Sequence, residues 1–292
     1  MEREDVTPDT ADEDGRTPLS WAAGNEYEDI VEILLGREDV APDTPDEAGR
    51  TPLSWATESG NLDLVKMFLE REDVTPDTVD GDGRTPLSWA AEYGYETVVE
   101  ILLQHKDVAP DTPDEDGRTP LSWAAENGDK GIVKMLLECK DVAPDTPDQD
   151  GRTPLSWAAG NGSEDTVMLL LEREDVTPDF ADEDGRTPLS WAAGNEYEDV
   201  VEILLGREDV APDTPDEDGR TPLSWAAESG NLDLVKMFLE REDVTPDTAD
   251  GDGRTPLSWA AEYGYETVVE ILLQHKNVAP DTPDEDGRTP LS

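Results

Sequence analysis

Residues 112–123 read TPDEDGRTPLSW, and their carboxylates invite comparison with a calcium loop. Such a loop needs D-x-D-x-D-G with a glutamate at its twelfth position. Here the first position is Thr112 and the twelfth is Trp123, so two ligands are missing. The acidic loops are expected to condense cations diffusely and to hold no specific metal. His105, Cys139 and His275 are the other residues with ligating or nucleophilic chemistry. The histidines are copies of one another, and Cys139 takes the equivalent place one period after His105, at a helix end where the other copies carry Arg. A structural zinc needs about four ligands at one point, and a nucleophile needs a base within hydrogen-bond reach. Neither set recurs, so no metal, cofactor or catalysis is expected. The Asn161-Gly162-Ser163 sequon reads as accidental.

The chemistry is therefore that of surfaces, and the elements beneath them are dictated by a period. TPLSWAA starts at Thr17 and returns, with one change, every 34 residues through Thr255; a ninth copy is cut to TPLS at 289. The chain of 292 residues carries 73 acidic and 22 basic side chains, a net charge of −51. Such a charge usually signals disorder, but disordered tails do not space Leu, Ala, Val and Trp at a fixed period. The field should reject nucleic acid and anionic membrane and favour basic partners. No apolar run approaches the ~20 residues that span a bilayer. The acidic start offers no signal peptide, and the lone Cys139 fits a reducing compartment, so a cytoplasmic protein is expected.

Residues 117–150 show one unit in full, GRTPLSWAAENGDKGIVKMLLECKDVAPDTPDQD. Thr119 can N-cap a helix with Pro120 at its first position. Leu121, Ala124 and Ala125 form one narrow apolar stripe, and Gly128 can take the positive φ that ends the helix. A second helix is predicted from about Lys130 to Glu138. Its Ile132, Val133, Leu136 and Leu137 make a stripe broad enough to face neighbours on two sides. Lys140 to Asp150, rich in Pro and Asp, must be extended. One unit cannot bury its own apolar faces, so units must stack. Residues 1–122 match 171–292 with only seven differences, which marks duplication of a five-unit block.

The pattern G-R-T-P-L-x-x-A-A…G…V-V-x-x-L-L…D-V resembles the ankyrin repeat over essentially the whole chain. The resemblance implies an all-α solenoid of helix-turn-helix units with extended finger loops. It divides the chain into a partial finger (1–14), eight repeats (15–286) and a partial repeat (287–292), without polar caps, as in a fragment of a longer array. Within the family the regular TPLSWAA units are similar to fungal arrays that often follow a nucleoside-triphosphatase domain of the innate-immunity (NACHT/NLR-like) type. No phosphate-binding G-x-x-x-x-G-K-S/T loop occurs here. Three departures from the family pattern stand out. Ser122 replaces the TPLH histidine that braces the turn, so that bracing is weaker or differently made. In residues 117–150 no glycine closes the second helix, and Cys139 and Lys140 lead straight into Asp141-Val142. The finger is lengthened by a Pro-Asp-Thr-Pro flavour, which leaves its conformation open.

Against this fixed brick, the six residues after TPLSWAA vary: GNEYED, ESGNLD, EYGYET, ENGDKG, GNGSED. All six tyrosines fall in or at these segments, Tyr27, Tyr93, Tyr95, Tyr197, Tyr263 and Tyr265, with Asn25, Ser59, Asn61 and Asn127. Tyr, Ser, Asn and Gly are the types that binding loops favour. Trp123 shares a helical face with Glu126 and Asn127 at i+3 and i+4, as Trp89 does with its own followers. Stacking would line these faces into a groove floored by tryptophan. The tryptophans are open to two readings, inter-repeat packing or partner contact, and the tyrosines to contact or tolerated drift. Where Glu26 and Glu196 replace the turn glycine, Asn25 and Asn195 are expected to take the positive φ. The arginine after each repeat glycine, such as Arg16 or Arg50, is expected to offset finger carboxylates, for example as a bidentate pair. The expected function is non-covalent recognition of a protein with a basic surface along the concave face, by a chain that is not an enzyme. The alternatives are a structural spacer or assembly module, or a piece of a larger immune-receptor-like protein. Nothing in the sequence sets the oligomeric state.

Overall fold

The helix pairs follow from the brick and its followers. In the computed structural model, which describes residues 7–290, the helices run α1 (Pro18–Gly24), α2 (Glu28–Leu35), α3 (Pro52–Glu58), α4 (Leu62–Leu69), α5 (Pro86–Glu92), α6 (Glu96–Gln104), α7 (Pro120–Asn127), α8 (Lys130–Glu138), α9 (Pro154–Gly160), α10 (Glu164–Leu171), α11 (Pro188–Gly194), α12 (Glu198–Leu205), α13 (Pro222–Ser229), α14 (Leu232–Leu239), α15 (Pro256–Glu262) and α16 (Glu266–Gln274). Among the described residues there is no strand. The outer parts of the ragged ends, residues 1–6 and 291–292, lie outside the described residues.

Contacts divide the chain into two compact units. One holds residues up to Ala124 with Asp129–Ala143, and the other holds Ala125–Gly128 with residues from Pro144 onward. In the first unit α1 packs on α3 and α3 on α5, while α2, α4, α6 and α8 pack in sequence behind them. In the second unit α9, α11, α13 and α15 stack in the same way, backed by α10, α12, α14 and α16. Leu121, Ala124 and Ala125 are fully buried, as are Ile132, Val133 and Leu136. Leu137 is only half-buried.

Each odd-numbered helix begins on a buried threonine whose Oγ1 accepts the N–H of the serine three residues on, at 3.1–3.3 Å. The serine Oγ lies 3.0–3.2 Å from the same Oγ1. In α3, α13 and α15 it also accepts the threonine N–H, which closes a capping box. The serine in place of histidine thus braces the turn by a different and shorter-range bond.

Helix ends show two corrections. Asn25 and Asn195 keep negative φ (−100° and −96°), and Glu26 and Glu196 take the positive values, 59° and 65°. The register explains this. Tyr27 N–H donates to Ala22 O (2.9 Å) and Tyr197 N–H to Ala192 O (3.0 Å), as at turns that carry glycine, so position 26 must reverse the chain whatever residue stands there. The left-handed conformation costs a non-glycine residue about 1–2 kcal/mol, which the stacked helices override. Three even-numbered helices, α2, α10 and α12, are capped from the next repeat: Arg71 Nη1 donates to Leu35 O (2.6 Å), Arg207 Nη1 to Leu171 O (3.2 Å) and Arg241 Nη1 to Leu205 O. Those same arginines form bidentate forks with the aspartate two residues on, Arg71 with Asp73 at 2.8 and 2.7 Å.

The fingers are ordered turns. Asp46 N–H donates to Arg50 O (3.0 Å) and Gly49 N–H to Asp46 O (2.9 Å), with Gly49 at φ +77°. Successive tips join by backbone bonds, Glu47 N–H to Asp14 O and Glu115 N–H to Asp82 O in the first unit, Glu217 N–H to Asp184 O in the second. A Cβ on Gly49 would stand 2.9 Å from Gly81 N, so the next finger passes too close for any other residue.

Candidate recognition face

The fixed residues of each repeat converge on one tryptophan. Nine residues before every Trp stands an aspartate whose Oδ2 accepts the indole N–H, at 3.0 Å for Asp114 and Trp123 and 2.8 Å for Asp80 and Trp89. Its Oδ1 accepts backbone N–H groups: Asp114 Oδ1 takes those of Asp116 (3.1 Å) and Arg118 (2.8 Å). Asp114 is buried, and it is the residue at the third position of the calcium-loop comparison. Its oxygens face inward and are spent on the turn and the indole.

The arginine after the repeat glycine places its guanidinium over these indoles. Arg16 sits over Trp21 and Trp55 with Cζ 5.0 and 4.6 Å from the ring centres, and Arg84 over Trp89 and Trp123 at 4.6 and 4.1 Å. In the second unit Arg152, Arg186 and Arg220 each bridge two indoles, Arg186 at 3.7 Å from Trp191 and 4.1 Å from Trp225. A cation over an indole is worth ~0.5–1 kcal/mol exposed and ~2 or more when desolvated. The guanidinium Nε stands 3.8–3.9 Å from the buried aspartate of the next repeat in Arg16–Asp46, Arg84–Asp114 and Arg152–Asp182. The expected bidentate pair is therefore not made by this arginine; its planar group is taken up by stacking, and the forks belong to Arg37, Arg71, Arg173, Arg207 and Arg241. Sequence reasoning weighed Asp, Arg and Trp separately and missed the ladder. The signal was their fixed spacing in every repeat.

The variable residues divide into two groups. Tyr93 is 47% exposed and Tyr263 53%, each stacked on the tryptophan four residues before it, at 6.0 Å and 6.4 Å between ring centres. Tyr27 is 55% exposed. Tyr95, Tyr197 and Tyr265 instead lie against the turn glycine of the preceding repeat: a Cβ on Gly60, Gly162 or Gly230 would stand 2.7, 2.4 or 2.5 Å from their rings. These three share the work of stacking. Asn61 caps α4 through its Oδ1, which accepts Leu64 N–H (3.0 Å), and its Nδ2 donates to Glu28 of the preceding repeat (3.1 Å). Ser59 Oγ donates to Ala56 O (2.9 Å), and Asn25 Nδ2 donates to Trp21 O (2.8 Å). Trp89 is half-buried and Trp123 buried; Glu126 is half-buried and Asn127 exposed.

His105 and His275 accept the backbone N–H two residues on through Nδ1, at 3.4 Å each. Burial, with Asp141 and Glu138 nearby, pushes the Cys139 thiol up, away from the thiolate form a nucleophile needs. Among the described residues no His, Cys, Asp and Glu side chains gather in a set able to hold a metal, and no helix is long and apolar enough to cross a membrane.

This repeated pair of helices with a finger turn has a counterpart among protein families. The family model for ankyrin repeats (three copies) matches residues 3–80, 72–147, 139–216, 178–248 and 208–284. The chain belongs to the ankyrin-repeat family. A search of curated proteins found no match. Ankyrin repeats are generally protein–protein interaction modules and typically have no enzymatic activity. In this ankyrin array the Asp–Arg–Trp ladder carries the stacked rings of Tyr93 and Tyr263.

Proposed function

We propose that the array recognises a protein partner with a basic surface, along the concave face expected from the family, where the first helices and their following turns present Tyr27, Tyr93 and Tyr263. The observation that carries this reading is the pair of aromatic stacks, Trp89–Tyr93–Tyr95 and Trp259–Tyr263–Tyr265, whose middle rings are exposed yet held between neighbours. A ring fixed before binding loses little entropy on contact. The net charge of −51 selects for basic partners and speeds their approach.

The test compares what the full chain and its Tyr93→Ala/Tyr263→Ala variant retain at physiological salt. Surface changes of this kind should leave the melting curve within ~0.5 kcal/mol. Loss of an aromatic anchor typically weakens binding by ~2 kcal/mol or more. A variant that folds normally and keeps every partner undiminished would favour the spacer reading, in which the array sets length and the tyrosines are drift.

A further inference from the structure

The arginine ladder is closed in some repeats and open in others. Where the residue three past the tryptophan is glutamate, its carboxylate covers the guanidinium: Arg50–Glu58 at 3.2 Å, Arg84–Glu92 at 2.6 Å, Arg254–Glu262 at 3.2 Å, and Arg220 paired with Glu228. In three repeats that position is glycine, at Gly24, Gly160 and Gly194. Arg16 and Arg152 then keep only the 3.9 Å approach of Nε to Asp46 and Asp182. Arg186 lies between Trp191 and Trp225, with its Nη2 2.9 Å from where a Cβ on Gly194 would stand. Their Nε atoms are buried without a hydrogen-bond partner, as are those of Arg50 and Arg220, so what the open repeats lack is the carboxylate that the Nη atoms meet in the closed ones. At Gly24 the missing side chain leaves a notch of about 150 Å³ lined by Arg16, Ser20, Trp21, Gly24, Asn25 and Trp55. That is well above the ~10–15 Å³ that one water molecule needs on the same measure.

We propose that the open guanidinium edges of Arg16, beside the Gly24 notch, and of Arg152 and Arg186 are carboxylate-binding sites, at which an acidic group of the bound protein takes the role that Glu58, Glu92, Glu228 and Glu262 have in the closed repeats. The closed repeats define the chemistry: a carboxylate, reaching the outer edge of a guanidinium whose faces are covered by indole. A planar fork of donors between apolar walls suits that ligand. The chain's own charge opposes an anion at long range, but that repulsion is screened beyond ~8 Å at 0.15 M salt, whereas a partly buried contact is screened less. The partner would therefore be basic overall with a carboxylate at these edges, and only this occupant rests on the function proposed above.

The experiment needs no partner. The full chain, labelled at arginine, is titrated at fixed ionic strength with N-acetylglutamate α-amide and, separately, with N-acetylglycine, which offers a terminal carboxylate. N-acetylglutamine amide and inorganic phosphate serve as controls. The Nε–H resonances of Arg16, Arg152 and Arg186 are expected to shift with one or both carboxylates, and those of Arg50, Arg84, Arg220 and Arg254 to stay. Whichever carboxylate acts identifies the source as side chain or chain end. Gly24→Glu should silence Arg16, weakening the probe there by about tenfold or more, since hydrogen bonds to charged groups contribute ~1.5–3 kcal/mol. Glu58→Gly should make Arg50 respond, in a helix end of a kind that α1, α9 and α11 already tolerate. Equal shifts at all arginines, no shift at the three, a response to phosphate alone, or an equal response to the amide would overturn the proposal. Failure here would discard the carboxylate sites and leave the recognition of a basic partner standing; loss of partner binding in the tyrosine variant reports on that reading alone.

Discussion

Asp114→Ala is expected to destabilise its repeat by about 3–5 kcal/mol, the cost of removing one member of a buried charged network. The carboxylate accepts three N–H groups, from Asp116, Arg118 and the Trp123 indole, and lies 3.8 Å from Arg84 Nε. Alanine would leave all three donors without an acceptor in a buried place, where each unsatisfied group costs ~1–3 kcal/mol. It would also free the indole to tilt away from Arg84 and Arg118, whose Cζ atoms sit 4.1 and 3.5 Å from its ring. Asp114→Asn retains one acceptor oxygen and should cost roughly half as much. Denaturant unfolding followed by tryptophan fluorescence and by circular dichroism measures both. In an array whose repeats touch only neighbours, the fluorescence change should precede the loss of helix elsewhere. A cost under ~0.5 kcal/mol for Asp114→Ala, typical of surface substitutions, would mean that the ladder holds nothing together.

The second large effect concerns pH. A second set of aspartates ties each finger to the next: Asp77 Oδ2 accepts Ala109 N–H (3.3 Å), Asp111 accepts Ala143 N–H (3.0 Å), and Asp213 accepts Thr245 N–H (3.1 Å). Burial pushes the carboxyls of Asp43, Asp77, Asp111, Asp145, Asp179, Asp213 and Asp247 above their ordinary value. In each the folded state binds its proton at higher pH than the unfolded chain does. Stability therefore rises as pH falls through the raised values and levels off below the unfolded pKa of ~3.9. Opposing this, the Arg forks hold Asp39, Asp73, Asp175, Asp209 and Asp243 low, and the Trp21 indole does the same for Asp12. Their contribution is present above ~3.9 and is lost as pH falls through the lowered values. Relief of net repulsion adds to the first trend. The melting temperature at fixed ionic strength should climb from pH 7.5 to about 5 and drop again below about 3. Asp77→Asn/Asp213→Asn, which keeps an acceptor at each bond, should melt higher at pH 7.5 and gain less on acidification. A flat or falling melt from pH 7.5 down to about 4, near the unfolded carboxyl value, would show that these half-buried carboxylates place no strain on the fold.

The helix pairs were legible because their signals are local. Thr119 and Pro120 set a start, Gly128 a stop, and Leu121, Ala124 and Ala125 a stripe, and the predicted bounds of α8 match the observed Lys130–Glu138. The fingers were not, because their bonds run between repeats: nothing near Asp77 in the chain announces that its acceptor oxygen meets Ala109. The structural role of Asp114 was hidden for the same reason, since its partner indole lies nine residues on in the next element. At Glu26 the intrinsic preference of Asn25 for positive φ lost to a register fixed by stacked helices. Among the tyrosines, composition alone could not separate Tyr93, which is stacked on Trp89 with its ring half exposed, from Tyr95, which rests on Gly60 of the preceding repeat.

The account holds that the fixed brick carries stability and the variable residues after it carry recognition. The most direct measurement replaces the six residues after TPLSWAA in every repeat by ESGNLD, already present at 58–63 and 228–233, and compares helical melting and retention of a basic partner with those of the native chain. The account predicts a cooperative helical melt with partner binding lost. A chain that melts as before and still binds its partner undiminished would contradict it.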